Sequence, residues 1–201
     1  WLPITAVGRA KEIMMVIDHY MKAGEMVEAP VFTEGMISEA SAIHDPYPEY
    51  LARELKQKIL ETDDNPFDSE YFTNIEHADA REEPMRENSP CIILATSGML
   101  EGGPVLEYFK NIAPDSKNKV VFVSYQVNGT LGRRVLDGSK QVSMLGKEGK
   151  VEVVSVNCGV EKLDGFSGHS DYNQLMSFVQ RLRPKLRRVL VNHGERSKSE
   201  N

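Results

Sequence analysis

Hydrophobic and polar positions alternate with different periods along the chain, and those periods predict its elements. Ala10, Ile13, Met14, Ile17, Tyr20 and Met21 recur at the spacing of one helix face, and Gly24 follows as a stop. A short apolar run at 29–33 predicts a strand, and 35–44 reads as a helix broken by Pro46 and Pro48. Residues 48–60 read as a further helix with proline in its first turn. The acidic, Asn-, Asp- and Pro-containing stretch 61–89 reads mostly as loop. The second half is more regular. Strand-like runs at 90–96, 119–126, 150–158 and 187–195 alternate with helical patterns at 105–113, 131–136 and 170–182, the last ended by Pro184. The run 141–145 suits a partner for 150–158. Apolar, β-branched strands alternating with helices predict an α/β fold, a mostly parallel sheet flanked by helices on both faces.

Three of the predicted strand-to-helix turns share a chemistry. They are Thr96-Ser97-Gly98-Met99, Asn128-Gly129-Thr130 and Ser167-Gly168-His169-Ser170-Asp171. In a parallel sheet such turns lie along the carboxyl edge, where ligands bind. Helix N-termini offer unpaired N–H groups and partial positive charge, and glycine lets an anion approach the backbone. Arg133, one turn into its helix, adds a forked cation. Ordinary N-capping by Ser, Thr and Asn explains each turn equally well when taken alone. No P-loop and no dinucleotide-binding glycine pattern is present. The stretch from Gly165 approaches a serine nucleophile elbow, but His169 stands where its last glycine belongs.

Of the five histidines, His19, His44 and His77 suit surface or satisfied polar positions. His169 and His193 differ: each adjoins a glycine at an element junction with a carboxylate, Asp171 or Glu195, two residues on. An imidazole in such a place ligates metal or moves a proton near neutral pH. A zinc site needs three or four protein ligands, and no dense ligand cluster exists in this sequence.

Composition narrows the class. Hydrophobic residues make up 40% and charged residues 27% of 201, as in a soluble globular protein. No apolar run is long enough to span a bilayer, so no membrane role is expected. Cys91 and Cys158 lie in apolar runs and read as reduced, buried thiols in a cytoplasmic protein. The net charge of −6 disfavours nonspecific nucleic-acid binding by the whole surface. The charge is uneven, with 61–87 strongly acidic and 181–188 strongly basic. The chain opens on Trp1 in a stretch that reads as the middle of a protein, so a fragment of a longer chain is expected.

The motif "FSGHSD", followed at a distance by "VNHGE", resembles two C-terminal signatures of the β-CASP subfamily of metallo-β-lactamase-fold nucleases. "ITAVGRAKEIM", "APVFTEGMISEASAIH", "ILATSGMLEGGPVLEYF" and "VVFVSYQVNGTLGRRV" resemble it as well, in particular archaeal homologues of the cleavage and polyadenylation specificity factor nuclease subunit. The resemblance implies a β-CASP domain at 1–165, with a hinge at about 1–9, and a return segment of the metallo-β-lactamase domain at 166–201. It implies a zinc-dependent endoribonuclease acting in RNA 3′-end processing or transcription termination, with two zinc ions and RNA in a cleft between the domains. His169 matches the histidine that contacts the scissile phosphate and protonates the leaving oxygen, with Asp171 beside it. His193 matches a zinc ligand. Ser97, Gly98, Gly129, Thr130, Arg133, Ser167 and Ser170 are the expected phosphate contacts. The family's H-x-H-x-D-H cluster is not in this sequence. The fragment alone is therefore expected to be inactive, with the rest of the metallo-β-lactamase domain, KH domains and a homodimer partner as further partners. A non-catalytic RNA-binding scaffold is the alternative. A small-molecule sugar- or nucleotide-phosphate enzyme is a third reading, which predicts a closed pocket instead of an open groove.

Overall fold

The computed structural model describes residues 1–62, 64–86, 89–146, 149–166, 168–192 and 194. Two compact units emerge, residues 1–166 and 167–201.

The first unit is built on parallel strands. β1 (Leu2–Pro3), β4 (Ile92–Ala95), β2 (Val31–Glu34) and β3 (Phe72–Ile75) pair in that spatial order, all parallel. β5 (Lys119–Phe122) pairs in parallel with β8 (Gly159–Lys162). The Trp1 nitrogen donates to Lys119 O at 2.8 Å and Val121 N donates to Trp1 O at 2.9 Å. That exchange is the slanted pattern of a parallel pair, so β5 continues the sheet beside β1. β6 (Gln141–Leu145) and β7 (Val151–Ser155) form a separate antiparallel hairpin.

Alternation along the strands divides the core in two. Trp1, Phe32, Ile93, Ala95, Val120 and Phe122 join one cluster with α5 (Val105–Ile112), α6 (Leu131–Leu136) and the hairpin's inward Val142, Met144 and Val154. Val31, Leu94 and Val123 join the other, with α1 (Arg9–Lys22) and α2 (Ile37–His44), and the partly buried side of α3 (Arg53–Thr62) packs against it. A sheet buried on both faces needs apolar residues at successive positions, which is why its strands read as unbroken apolar runs. The expected α/β architecture, mostly parallel with helices on both faces, is what forms.

Several details depart from the sequence reading. The stretch 61–89 holds an edge strand, β3, a 3-10 turn at Ala78–Glu82 and the short α4 (Glu83–Arg86). β3 escaped notice because only Ile75 is buried in it, while Thr73 and Asn74 face solvent. Residues 48–60 are not one helix. A 3-10 turn at Pro48–Tyr50 gives way to extended Leu51 before α3, which brings Leu51 to the same apolar cluster as Leu55 and Ile59. Cys158 is buried, but Cys91 only partly so, and neither is in a disulfide.

The second unit contains α7 (Tyr172–Leu182) and a 3-10 turn at Arg183–Lys185. The strand expected at 187–195 is absent from its described part, residues 187–192, where Val189, Leu190 and Val191 are exposed. A strand needs a neighbour to hydrogen-bond, and the described residues of this unit supply none. Among the described residues no helix is long and apolar enough to cross a membrane.

Phe109 is fully buried between α5 and the sheet. Phe109→Ala is expected to destabilise the chain by about 3–5 kcal/mol, read as a lowered denaturant midpoint with unchanged slope.

Candidate functional site

The turns after β4 and β5 are stitched together. Glu101 Oε1 accepts from Leu131 N, the first amide of α6, at 2.6 Å. Met99 O accepts from Gly132 N at 3.0 Å. The Gln126 side chain, 1% exposed, donates through Nε2 to Gly98 O at 2.9 Å and to Ser124 O at 3.0 Å. Within the first turn, Ser97 Oγ accepts from Glu101 N at 3.1 Å and Thr96 O accepts from Val105 N at 3.1 Å. Gly132 is required by this closeness: a Cβ there would overlap Gln126 Oε1 and lie 2.9 Å from Met99 O.

Thr130 caps α6. Its Oγ1 accepts from Arg133 N at 3.2 Å while its hydroxyl donates to Val127 O at 2.7 Å. Gly129 precedes it at φ 92, a backbone conformation that favours glycine. The Arg133 Nε donates to both carboxylate oxygens of Asp137 at 2.9 Å. The first amides of α6 therefore already have acceptors, one of them a carboxylate. An anion there would have to displace Glu101, so this helix end is not the open amide cradle that the sequence suggests. Ser97 keeps its hydroxyl hydrogen, with no acceptor for it among the described residues.

The third turn lies in the second unit. Asp171 is the N-cap of α7: its Oδ1 accepts from Gln174 N at 2.8 Å, and Gln174 Oε1 accepts from Asp171 N at 3.0 Å. This capping box fixes the start of α7. Gly168, His169 and Ser170 precede it and are exposed. Ser167 and His193 lie outside the described residues. Among the described residues no three His, Cys, Asp or Glu side chains gather as a metal site would require. The described residues do not fit zinc by themselves.

One polar cluster went unnoticed in the sequence. Glu34 ends β2 and is 5% exposed. Tyr108 Oη donates to its Oε2 at 2.6 Å, and Arg81 Nε donates to its Oε1 at 2.7 Å. Burial first, then the bond to Glu34, holds the Tyr108 phenol well above its ordinary value. The bond to Glu34 raises Arg81 too. A buried carboxylate is tolerated only with partners of this kind. No spacing rule links residues 34, 81 and 108, so only the fold could reveal them.

Known proteins resemble this chain along its whole length. Residues 10–135 match the family model of the Beta-Casp domain, and residues 153–201 match that of the Zn-dependent metallo-hydrolase RNA specificity domain. A protein named transcription termination factor FttA, from Cenarchaeum symbiosum, is 80% identical over 200 residues, which is 100% of this chain and 31% of that protein. Proteins of the same name from Pyrococcus abyssi and Methanocaldococcus jannaschii are 49% and 46% identical over 197 residues, covering 98% of this chain and 30% and 31% of theirs. The chain thus spans under a third of the length of these relatives.

The buried cluster predicts an alkaline weakness. Tyr108 has a folded-state value raised above the ordinary 10.0, so its contribution is complete below that pH and is lost as pH rises beyond it. Urea melts at about pH 8 and pH 11 should show wild type losing more stability than Tyr108→Phe over that interval, although the variant is the weaker at pH 8. Removing the Glu101 carboxylate, in Glu101→Ala, should cost about 1–3 kcal/mol by leaving the Leu131 amide unpaired, read in the same melts.

Proposed function

The chain belongs to the Beta-Casp family, and from that footing we propose that it is part of a longer zinc-dependent endoribonuclease that cleaves RNA in transcription termination. The observation that carries this is the order of the two family matches on one chain, with His169 exposed just ahead of a firmly capped helix inside the second. The relatives' printed name supports the termination role.

In this reading His169 contacts the scissile phosphate and gives a proton to the leaving oxygen. Asp171 does not need to touch the imidazole to matter. It caps α7 and so fixes the turn on which His169 stands. Ser97 offers a hydroxyl donor, Gly98 packs its open side against Ile4 and Thr5 and so shapes the first turn, and Gly129, where a Cβ would meet nothing within 4 Å, lets a strand approach the rim closely. Thr130 shapes the second turn, Arg133, held beside it by Asp137, acts by direct contact with a phosphate and not by long-range charge, and Ser167 and Ser170 flank the histidine. His193 is a zinc ligand, completed by groups from the rest of the protein, which holds two zinc ions. In this reading the 201 residues alone do not cleave RNA, because the H-x-H-x-D-H ligand cluster is not in this sequence and hydrolysis of this class depends on metal-activated water.

The test uses the full-length protein. His169→Ala should lower cleavage about 10²–10⁴-fold, the usual contribution of a positioned acid or base, with zinc content unchanged. His193→Ala should lower both. RNA cleavage by His169→Ala at the wild-type rate would remove the catalytic assignment. RNA binding with no cleavage by wild type would leave a scaffold in its place.

A further inference from the structure

The basic run at the end of α7 has no part in the site above, and its surroundings single it out. Arg181, Arg183, Lys185, Arg187 and Arg188 are all exposed. From Tyr172 to Gly194 the sequence contains no Asp or Glu. None of the five forms an ion pair among the described residues, and no carboxylate of the same segment is there to do so. The first unit is rich in carboxylates. Many of its cations are matched, among them Arg9 with Glu12, Lys22 with Asp18 and Asp64, Lys58 with Asp64, Lys110 with Glu152, Lys119 with Glu161 and Arg133 with Asp137.

A helix C-terminus favours one or two cations in its last turn. Arg181 alone, in the last turn of α7, meets that need. The next four continue past the helix, through the 3-10 turn at Arg183–Lys185 and extended Leu186, to Arg188. Such a linear series suits a chain of regularly spaced negative charges better than a single small anion.

We propose that Arg181–Arg188 is a docking track for the RNA phosphate backbone, outside the cleavage site and acting on affinity. This rests on the ribonuclease reading above and extends it. Arg181 lies nearly at the end of α7, which starts at Tyr172, so the track begins about 14 Å from the turn that carries His169. That separation exceeds the ~8–10 Å screening length at physiological salt. The track therefore holds RNA beyond the scissile bond and exerts little field on the histidine. Its signature is ionic: each phosphate contact to single-stranded RNA contributes about 0.7 to the slope of log K against log salt.

The experiment compares full-length wild type with two variants, one with all five cations changed to Gln and one with the four arginines changed to Lys. Binding of a single-stranded RNA oligonucleotide is measured from about 0.05 to 0.2 M KCl, the range in which phosphate contacts dominate affinity, with thermal midpoint and zinc content as controls. The Gln variant should show a slope shallower by up to about 3.5 and weaker binding at low salt, with both controls unchanged. The Lys variant should keep the wild-type slope. An unchanged slope in the Gln variant overturns the track. So does an equal loss in both variants, which would indicate packing instead of charge. Phosphatidylserine vesicles that pellet wild type but not the Gln variant, with the RNA slope unchanged, would assign the run to a lipid surface and also overturn it. Wild type that binds no RNA at all would instead bring down the ribonuclease reading, and the track with it.

Discussion

Where β4 and β5 end, backbone groups leave the sheet ladder and must find other partners in a half-buried place. Here they find one another. Gly98 O takes the Gln126 amide, Met99 O takes the Gly132 amide, and the Glu101 carboxylate takes the Leu131 amide. These contacts lock two loops, separated by about thirty residues, into one piece of rim. Without them the carboxyl edge of the sheet would be a row of independent loops. With them it is a preformed surface, which is what a site needs to hold a ligand without first ordering itself.

The same contacts change what that surface can offer. Helix N-termini attract anions because their amides lack partners. At α6 the partners are already present, and one carries negative charge. In the proposed function, what this rim can still offer an anionic strand is the Ser97 hydroxyl and close backbone approach at Gly129, where a Cβ would meet nothing within 4 Å. The pattern Gly plus Ser or Thr at a strand end was legible in the sequence. Which acceptor the amides would find was not, because Glu101 reaches Leu131 across 30 positions and no periodicity records such a contact.

The fold itself was readable where burial is two-sided. β4 and β5 are continuous apolar runs because both their faces are covered, and α1 and α5 showed their stripes because one face of each meets the core. Legibility failed at the margins. β3 and β8 are edge strands, each with a single neighbour, and their exposed residues are Thr73, Asn74, Glu161 and Lys162. Such strands are specified by the edge they dock on more than by their own composition. Residues 187–192 failed in the other direction: their composition favours a strand, but composition supplies no pairing partner. The Glu34 cluster was hidden for a related reason. Burying a carboxylate is unfavourable in isolation, and it becomes tolerable only when Tyr108 and Arg81 arrive from distant parts of the chain.

Charge is distributed by the same logic of partners present or absent. Exposed ion pairs contribute little stability each, so the paired cations of the first unit are poorly explained as supports for its fold. What pairing does achieve is neutrality at short range: a cation beside a carboxylate has little field left beyond a Debye length. The first unit therefore presents an acidic or neutral surface to a distant polyanion, most strongly along 61–87. The segment after Asp171 has no carboxylates until beyond Gly194, so its cations keep their field. The chain's net charge of −6 therefore conceals a locally basic stretch. In the proposed reading a polyanion is drawn to the end of α7, and His169 stands just ahead of that helix's capped start.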